Sequence, residues 1–432
     1  MKLFDANPQQ EVCQVMNLTG RRWGWAMYDW ANSAFATTVM AGFFPVFFKH
    51  YWNAGVPVTE STFRLGLANS LASLLIVVTA PLLGAIGDYL GRRKRMLLGF
   101  AFLGLLMTGG LYLVGEGEWQ LAATVYVLAV FGFSGSNIFY DSLLPFVSSR
   151  ADLDRTSALG FSLGYLGGGL LLGVNVLMTM QPQWFGLTDA ALAVRLAFVI
   201  VALWWLVFSL PLMVLVPEPD NHPHGLTPHV LGMGFRRIGD TLHKIRRMRP
   251  VWLFLVAYWL YIDGVGTIVR MAVDYGLSLG FEQKSLILAL LITQFTGFPA
   301  ALLFGWIGSR FGPRAGIFLA LLIYSVVTLR GALMDSVEDF YLLAFAIGLA
   351  QGGIQALSRS LYARMIPMGH TAEFFGFYNM LGKFAAILGP LIIGLVGIMT
   401  GSPRTGILSL LVLFVAGAML LTRVTPDAAA RT

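Results

Sequence analysis

The stretch Pro217 to Pro250, PEPDNHPHGLTPHVLGMGFRRIGDTLHKIRRMRP, is the one long polar interval in an otherwise apolar chain, and it stands at the midpoint of the 432 residues. It carries Glu218, Asp220, His222, His224 and His229, and then Arg236, Arg237, Lys244, Arg246, Arg247 and Arg249. On each side lie six apolar runs of bilayer-crossing length, since roughly 20 helical residues at ~1.5 Å each cross a hydrocarbon core of ~30 Å. The chain therefore divides into two six-helix halves, 1–216 and 251–432, joined by a basic linker, 217–250.

Composition supports an all-α integral membrane protein. Hydrophobic residues make up 57% and charged residues only 12%, against about a quarter charged in soluble domains. The net charge of +7 does not point to nucleic acid, because the basic residues fall between apolar runs and not on a soluble face. The expected partners are the lipid bilayer and a small molecule. Cys13 is the single cysteine, which excludes an intramolecular disulfide or a multi-cysteine metal site. His222, His224 and His229, in the Pro- and Gly-bearing part of the linker, have no obvious fourth ligand beside them, so neither a metal nor another cofactor is expected. Residues 1–20 lack a charged segment followed by an apolar one, so the first run is expected to be a retained helix and not a cleaved signal.

Spans are expected near 23–48, 64–87, 96–115, 119–147, 156–180 and 191–216, and then near 251–276, 284–309, 314–334, 338–366, 372–400 and 403–423. An even number places both termini on one side. The termini, the linker and the even-numbered loops hold 20 Lys and Arg, while the odd-numbered loops hold five, Lys49, Arg64, Arg195, Lys284 and Arg404. That asymmetry predicts cytoplasmic termini and a cytoplasmic linker. The halves also repeat. Gly84, Asp88, Gly91 and Arg93 match Gly305, Ser309, Gly312 and Arg314 at an offset of 221, and YDSLLP from Tyr140 matches YARMIP from Tyr362 at an offset of 222. Parallel repeats of this kind build two pseudo-symmetric bundles with a substrate path between them.

Polarity within the spans separates wall from path. The third, sixth, ninth and twelfth are almost wholly apolar, as lipid-facing helices are, with Arg330 the exception near a helix end. The first, fourth, seventh and tenth carry polar residues at helical spacing: Asp29, Asn32, Ser33 and Thr37; Ser134, Asn137 and Asp141; Asp263, Thr267, Arg270 and Asp274; Gln351, Gln355, Ser358, Arg359 and Tyr362. The eleventh adds Asn379 and Lys383. A mid-membrane carboxylate costs roughly 2.5–3.5 kcal/mol on insertion scales, so Asp29 and Asp263 are candidates for function, the bland reading being a helix-to-helix hydrogen bond. Arg270 and Asp274 stand four apart, so mutual neutralisation is the bland reading beside the functional one. Arg359 and Lys383 have no carboxylate on their own faces, so each needs an anionic partner from substrate or a facing helix. Six glycines of the fifth span, Gly160, Gly164, Gly167, Gly168, Gly169 and Gly173, are explained by close packing between helices.

At GAIGDYLGRRKR, Gly84 to Arg95, the chain resembles the loop signature of the major facilitator superfamily, G-x-x-x-D-[RK]-x-G-R-[RK], with Gly84, Asp88, Gly91, Arg92 and Arg93 matching and Tyr89 standing where a base is usual. The resemblance implies a gate at these five residues, with Asp88 as a latch tied to backbone or arginine. YDWANSAFATTVM from Tyr28, YIDGVGTI from Tyr261 and QALSRSLYARMIP with EFFGFYNMLGKFAAILGP, between Gln355 and Pro390, are similar to the vacuole effluxer family, with Ile262 where asparagine is common. The fungal autophagy-linked members of that branch export amino acids from the vacuole. The resemblance implies the major facilitator fold and transport, and the short loops resemble a bacterial member in the cytoplasmic membrane.

No phosphate-cradling loop, zinc helix signature or nucleophile elbow is present, so enzymatic chemistry is not expected and a gradient must supply the energy. The expected function is secondary active transport of a small polar metabolite, with amino acids as one class and protons as one coupling ion, by a monomer. The alternatives are a transporter-shaped sensor, or transport of a sugar, peptide or drug-like amphiphile. Under the amino-acid reading, Asp29 and Asp263 face the ammonium or the proton, and Arg359 and Lys383, then Arg270, face the carboxylate.

Overall fold

The computed structural model describes residues 8–219, 230–278, 281–384 and 388–425. Among the described residues twelve helices are long and apolar enough to cross a membrane: Leu18–Trp52, Thr59–Leu90, Arg93–Leu113, Trp119–Val147, Leu153–Met180 and Ala190–Leu215 in the first half, and Arg249–Val269, Lys284–Phe311, Pro313–Gly331, Val337–Met365, Met368–Thr400 and Arg404–Thr422 in the second. Most begin and end within a few residues of the expected spans; the apolar stretch of the seventh is counted only to Val269 against an expected end near 276, although its helix runs Arg249–Ser278. A thirteenth helix, Val230–Arg247, lies in the linker. This helix, the start of the first span and the end of the twelfth share one membrane face, the linker face.

Local chemistry sets several of these boundaries. The Asp189 carboxylate accepts the Leu192 N–H at 2.8 Å and the Ser336 hydroxyl accepts the Asp339 N–H at 3.1 Å, so the sixth and tenth spans each start on a side-chain cap. The second span stops at Gly91, whose φ of 61° is left-handed and suits glycine. Leu203, Val207, Leu210 and Val214 form an exposed stripe on the sixth span, which is the surface a lipid-facing helix needs. Arg330, the charged exception among the outer spans, pairs with Asp339 at 3.4 Å.

The first span packs on the fifth and sixth and the third on the fourth; the seventh packs on the twelfth and the ninth on the tenth. The halves meet along the second and eleventh spans and along the fifth with the eighth and tenth. Small residues let these helices approach. A Cβ on Gly84 would lie 2.2 Å from the Ala372 carbonyl oxygen, and one on Gly376 would lie 2.6 Å from that of Ala80. Gly66 is five turns from Gly84 on the same side of the second span; nothing lies within 4 Å of a Cβ placed there, and the same holds for Gly394 on the eleventh. The second and eleventh spans are thus clamped at the linker face and diverge toward the opposite one.

Candidate functional site

Arg359, on the tenth span, reaches across the bundle boundary and is only 3% exposed. Its Nη1 donates to Asp141 Oδ1 at 3.1 Å, and its Nη2 lies 3.7 Å from Asp29 Oδ2. Nε and Nη2 donate to the hydroxyl and the carbonyl of Ser157, each at 2.9 Å. The guanidinium also stacks over Phe161 at 4.3 Å and Trp25 at 4.8 Å. One residue of the second half is therefore held by the first, fourth and fifth spans of the other.

The carboxylates are positioned in turn. The Tyr140 hydroxyl donates to Asp29 at 3.1 Å, and Trp25, stacked on Tyr140 with centroids 4.3 Å apart, donates its Nε1–H to the Tyr140 carbonyl at 2.9 Å. Asn379 of the eleventh span donates to the second oxygen of Asp141 at 3.0 Å. Glycine makes the room: a Cβ on Gly160 would stand 2.9 Å from the Asp29 carboxylate, and one on Gly164 would stand 2.5 Å from the Ser33 hydroxyl. The fifth-span glycines therefore serve close packing, and through it they admit the charged cluster.

Nearer the linker face a second set of bonds crosses the boundary. Asp88 accepts from Arg93 Nε and Nη2 at 2.7 Å, and from the N–H groups of Ala372 and Glu373 at 3.1 and 2.8 Å. It thereby caps the first turn of the eleventh-span helix in the opposite bundle, where backbone N–H groups are otherwise unpaired and favour negative charge. Arg364 pairs with Asp154 at 2.7 Å, Ser360 donates to the same carboxylate at 2.5 Å, and Arg150 and Arg364 exchange side-chain bonds with each other's carbonyl. Glu373 accepts from His370 and from Thr241 of the linker helix. Of the remaining gate candidates, Gly91 ends the second span and Arg92 is the residue that precedes the third.

Other candidates are placed differently. Asn32 donates to Asn137 at 2.7 Å within the first bundle. Ser33, Asn137, Gln351, Gln355, Asn379 and Lys383 are all half-buried. Asp263 does not join Asp29. It is fully buried, and both of its oxygens accept the Gly389 N–H at 3.1 Å, with Thr267 one turn further along the same helix. Asp29 and Asp141 thus meet Arg359, and Asp263 accepts from the backbone N–H just before Pro390. The side chains of Arg270 and Asp274 lie outside the described residues, as do His222, His224 and His229. Ser157, Asp154, Arg364, Glu373 and His370 were not singled out from sequence. Asp154 and Arg364 sit in terminal turns, where a charge looks like ordinary surface, and an uncharged Ser157 gives no signal.

The profile of the family described as "Vacuole effluxer Atg22 like" matches residues 53–156 and 148–432. The chain is 37% identical over 400 residues to the "Uncharacterized MFS-type transporter YxiO" of Bacillus subtilis, covering 92% of this chain and 93% of that one. It is 30% identical over 299 residues to autophagy-related protein 22 of Yarrowia lipolytica, covering 62% of this chain and 50% of that one. Among solved structures, the proton:xylose symporter XylE aligns with a TM-score of 0.68 at 12% identity over 95% of both chains, and the human organic anion transporter MFSD10 with 0.65 at 19% identity over 96% of this chain and 100% of that one. Those two likenesses show the fold alone. With the profile running over most of the sequence and a relative aligned nearly end to end, the chain belongs to the vacuole effluxer Atg22-like family of major facilitator transporters.

Proposed function

We propose that the protein moves an amino acid or a closely similar small polar metabolite by alternating access, with a proton as the coupling ion. The observation that carries this reading is the single guanidinium of Arg359 between the carboxylates of Asp29 and Asp141, cation and anions standing in different bundles. Two carboxyl groups share one guanidinium in a site where uncompensated charge is costly. When the bundles separate at the linker face, Arg359 withdraws with the tenth span, and the two carboxylates are left to bind a proton or an ammonium group from water. Charge movement and helix movement are thereby one event, as gradient coupling requires.

Under this reading Arg359 is committed to the gate, so the substrate carboxylate falls to Lys383, with Arg270 second. Asn32, Ser33, Asn137, Gln351, Gln355 and Asn379 supply neutral hydrogen bonds along the path. Asp263 and Thr267 hold the eleventh span at Gly389, and their part in transport is to position that helix. The path lies within one chain, so a monomer suffices. The Lys and Arg asymmetry makes the linker face cytoplasmic in a bacterial inner membrane, and the conformation outward-open. A reporter fused after Arg249 is expected in the cytoplasm.

The test is a thermal-shift screen of purified protein against amino acids, dipeptides and sugars, followed by proteoliposome assays with the strongest hit. Asp29→Asn and Asp141→Asn are expected to abolish gradient-driven accumulation while sparing counterflow exchange. If both variants accumulate substrate as the wild type does, proton coupling at this site is wrong.

A further inference from the structure

The linker helix Val230–Arg247 has two unlike sides. Thr241 and Ile245, four residues apart, are each 1% exposed, and Ile238, Leu242 and Met248 pack partly against the protein core. On the other side Lys244, Arg246 and Arg247 are exposed, as is Arg249 at the start of the seventh span, and none of the four has an acidic partner among the described residues. Asp240 is the one acidic residue of this segment. Four unpaired positive charges within six residues are an electrostatic surface without an occupant.

The position of that surface identifies its occupant. The Arg246 guanidinium lies 5.9 Å from the ring centroid of Trp252, which is 38% exposed in the first turn of the seventh span. Exposed tryptophan at a span end marks the headgroup level of a bilayer. The basic face therefore stands beside lipid phosphates and not out in the aqueous phase, and clustered Lys and Arg at that depth attract anionic headgroups.

The buried side of the same helix touches the gate. The Thr241 hydroxyl donates to the Glu373 carboxylate, and the Glu373 N–H donates to Asp88 at 2.8 Å. We infer that the exposed face formed by Lys244, Arg246, Arg247 and Arg249 is a docking surface for anionic phospholipid headgroups of the surrounding leaflet, and that lipid bound there holds the linker face closed. Lipid on one side fixes the helix, the helix fixes Glu373, and Glu373 presents its N–H to the Asp88 latch.

The test uses the full chain with Cys13→Ser and spin labels at Ala151 and Phe311, two exposed positions on the linker face in opposite bundles. Nanodiscs of phosphatidylcholine are compared with nanodiscs that also contain phosphatidylglycerol, for the parent and for a K244Q/R246Q/R247Q/R249Q variant. Phosphatidylglycerol is expected to enlarge the short-distance population of the parent and to leave the variant unchanged. In a detergent titration the variant is expected to lose affinity for short-chain phosphatidylglycerol by on the order of a hundredfold, with its thermal midpoint kept because every substituted side chain is exposed. Equal response of parent and variant overturns the inference. So does capture of acidic peptides without preference for phosphatidylglycerol, which would assign the face to a protein partner.

Discussion

The fourth and tenth spans are related by the 222-residue repeat, and their linker-face ends share a shape but not a chemistry. Tyr140 corresponds to Tyr362, Asn137 to Arg359 and Asp141 to Ala363. Asn137 is bonded inside its own bundle to Asn32 at 2.7 Å, whereas Arg359 leaves its bundle to meet Asp141 at 3.1 Å. The Tyr140 hydroxyl serves a carboxylate, while that of Tyr362 donates to the Phe374 carbonyl at 2.9 Å. The second and eighth spans differ in the same sense. Asp88 caps two N–H groups of the facing bundle, and Ser309 at the repeat position takes a single bond from Arg155 at 3.2 Å. The helices match, but the anions of this cluster stand in the first half and its cation in the second. Such a lock pairs only when the two halves touch, so its energy depends on conformation and not on folding of either bundle alone.

The comparison breaks first at Arg359. Arg359→Ala leaves two buried carboxylates without their cation, a loss of ~3–5 kcal/mol, and is expected to open the linker face and abolish transport. The repeat equivalent, Asn137→Ala, removes one neutral hydrogen bond of ~1 kcal/mol and is expected to leave the linker face closed, as read by the distance between spin labels at Ala151 and Phe311. Equal opening in the two variants would break the contrast. Next comes Asp88→Ala, which removes a charged acceptor with bonds of ~1.5–3 kcal/mol and is expected to lower transport roughly tenfold or more with membrane insertion intact. Transport at the wild-type rate would remove Asp88 from the gate.

Glycine sharpens the difference between the two faces. Gly84→Ala forces a Cβ against the Ala372 carbonyl and is expected to cost ~1–3 kcal/mol of closure, whereas Gly66→Ala, on the same side of the same helix with open space around it, is expected to be neutral or slightly stabilising. Thermal midpoints of the two variants in detergent measure this directly. The smallest expected effect is that of Ser309→Ala, under ~1 kcal/mol, detectable as a change of no more than a few-fold in transport rate. A loss as large as that of Asp88→Ala would show that the two latches are equivalent after all.

Most of the fold was legible in sequence because bilayer thickness, helical rise and the period of the polar stripes leave few alternatives. Gly84 and Asp88 stood out through the resemblance of GAIGDYLGRRKR to the superfamily loop signature, and they lie where a close backbone approach to Ala372 and a charged cap on the Ala372 and Glu373 N–H groups each suit that residue. The partner of Arg359 was only half legible. Its need for an anion followed from the absence of a carboxylate on its own helix face, but which of Asp29, Asp141 and Asp263 supplies that anion depends on how the bundles are rotated, and no local pattern encodes that rotation. Asp263 shows the limit. A carboxylate deep in the membrane implied a charged or substrate partner, and no sequence pattern foretold that it also accepts the backbone N–H of Gly389, left available just before Pro390.

The central claim is that Arg359, bridging Asp29 and Asp141, locks the linker face. The most direct measurement is the spin-label distance between Ala151 and Phe311 in Arg359→Gln, compared with the parent and with a triple variant that also carries Asp29→Asn and Asp141→Asn. The short-distance population is expected to fall sharply in the single variant, where two carboxylates lose their cation, and to recover in part in the triple variant, where these three side chains no longer carry a buried charge. A distance distribution in Arg359→Gln that matches the parent would contradict it.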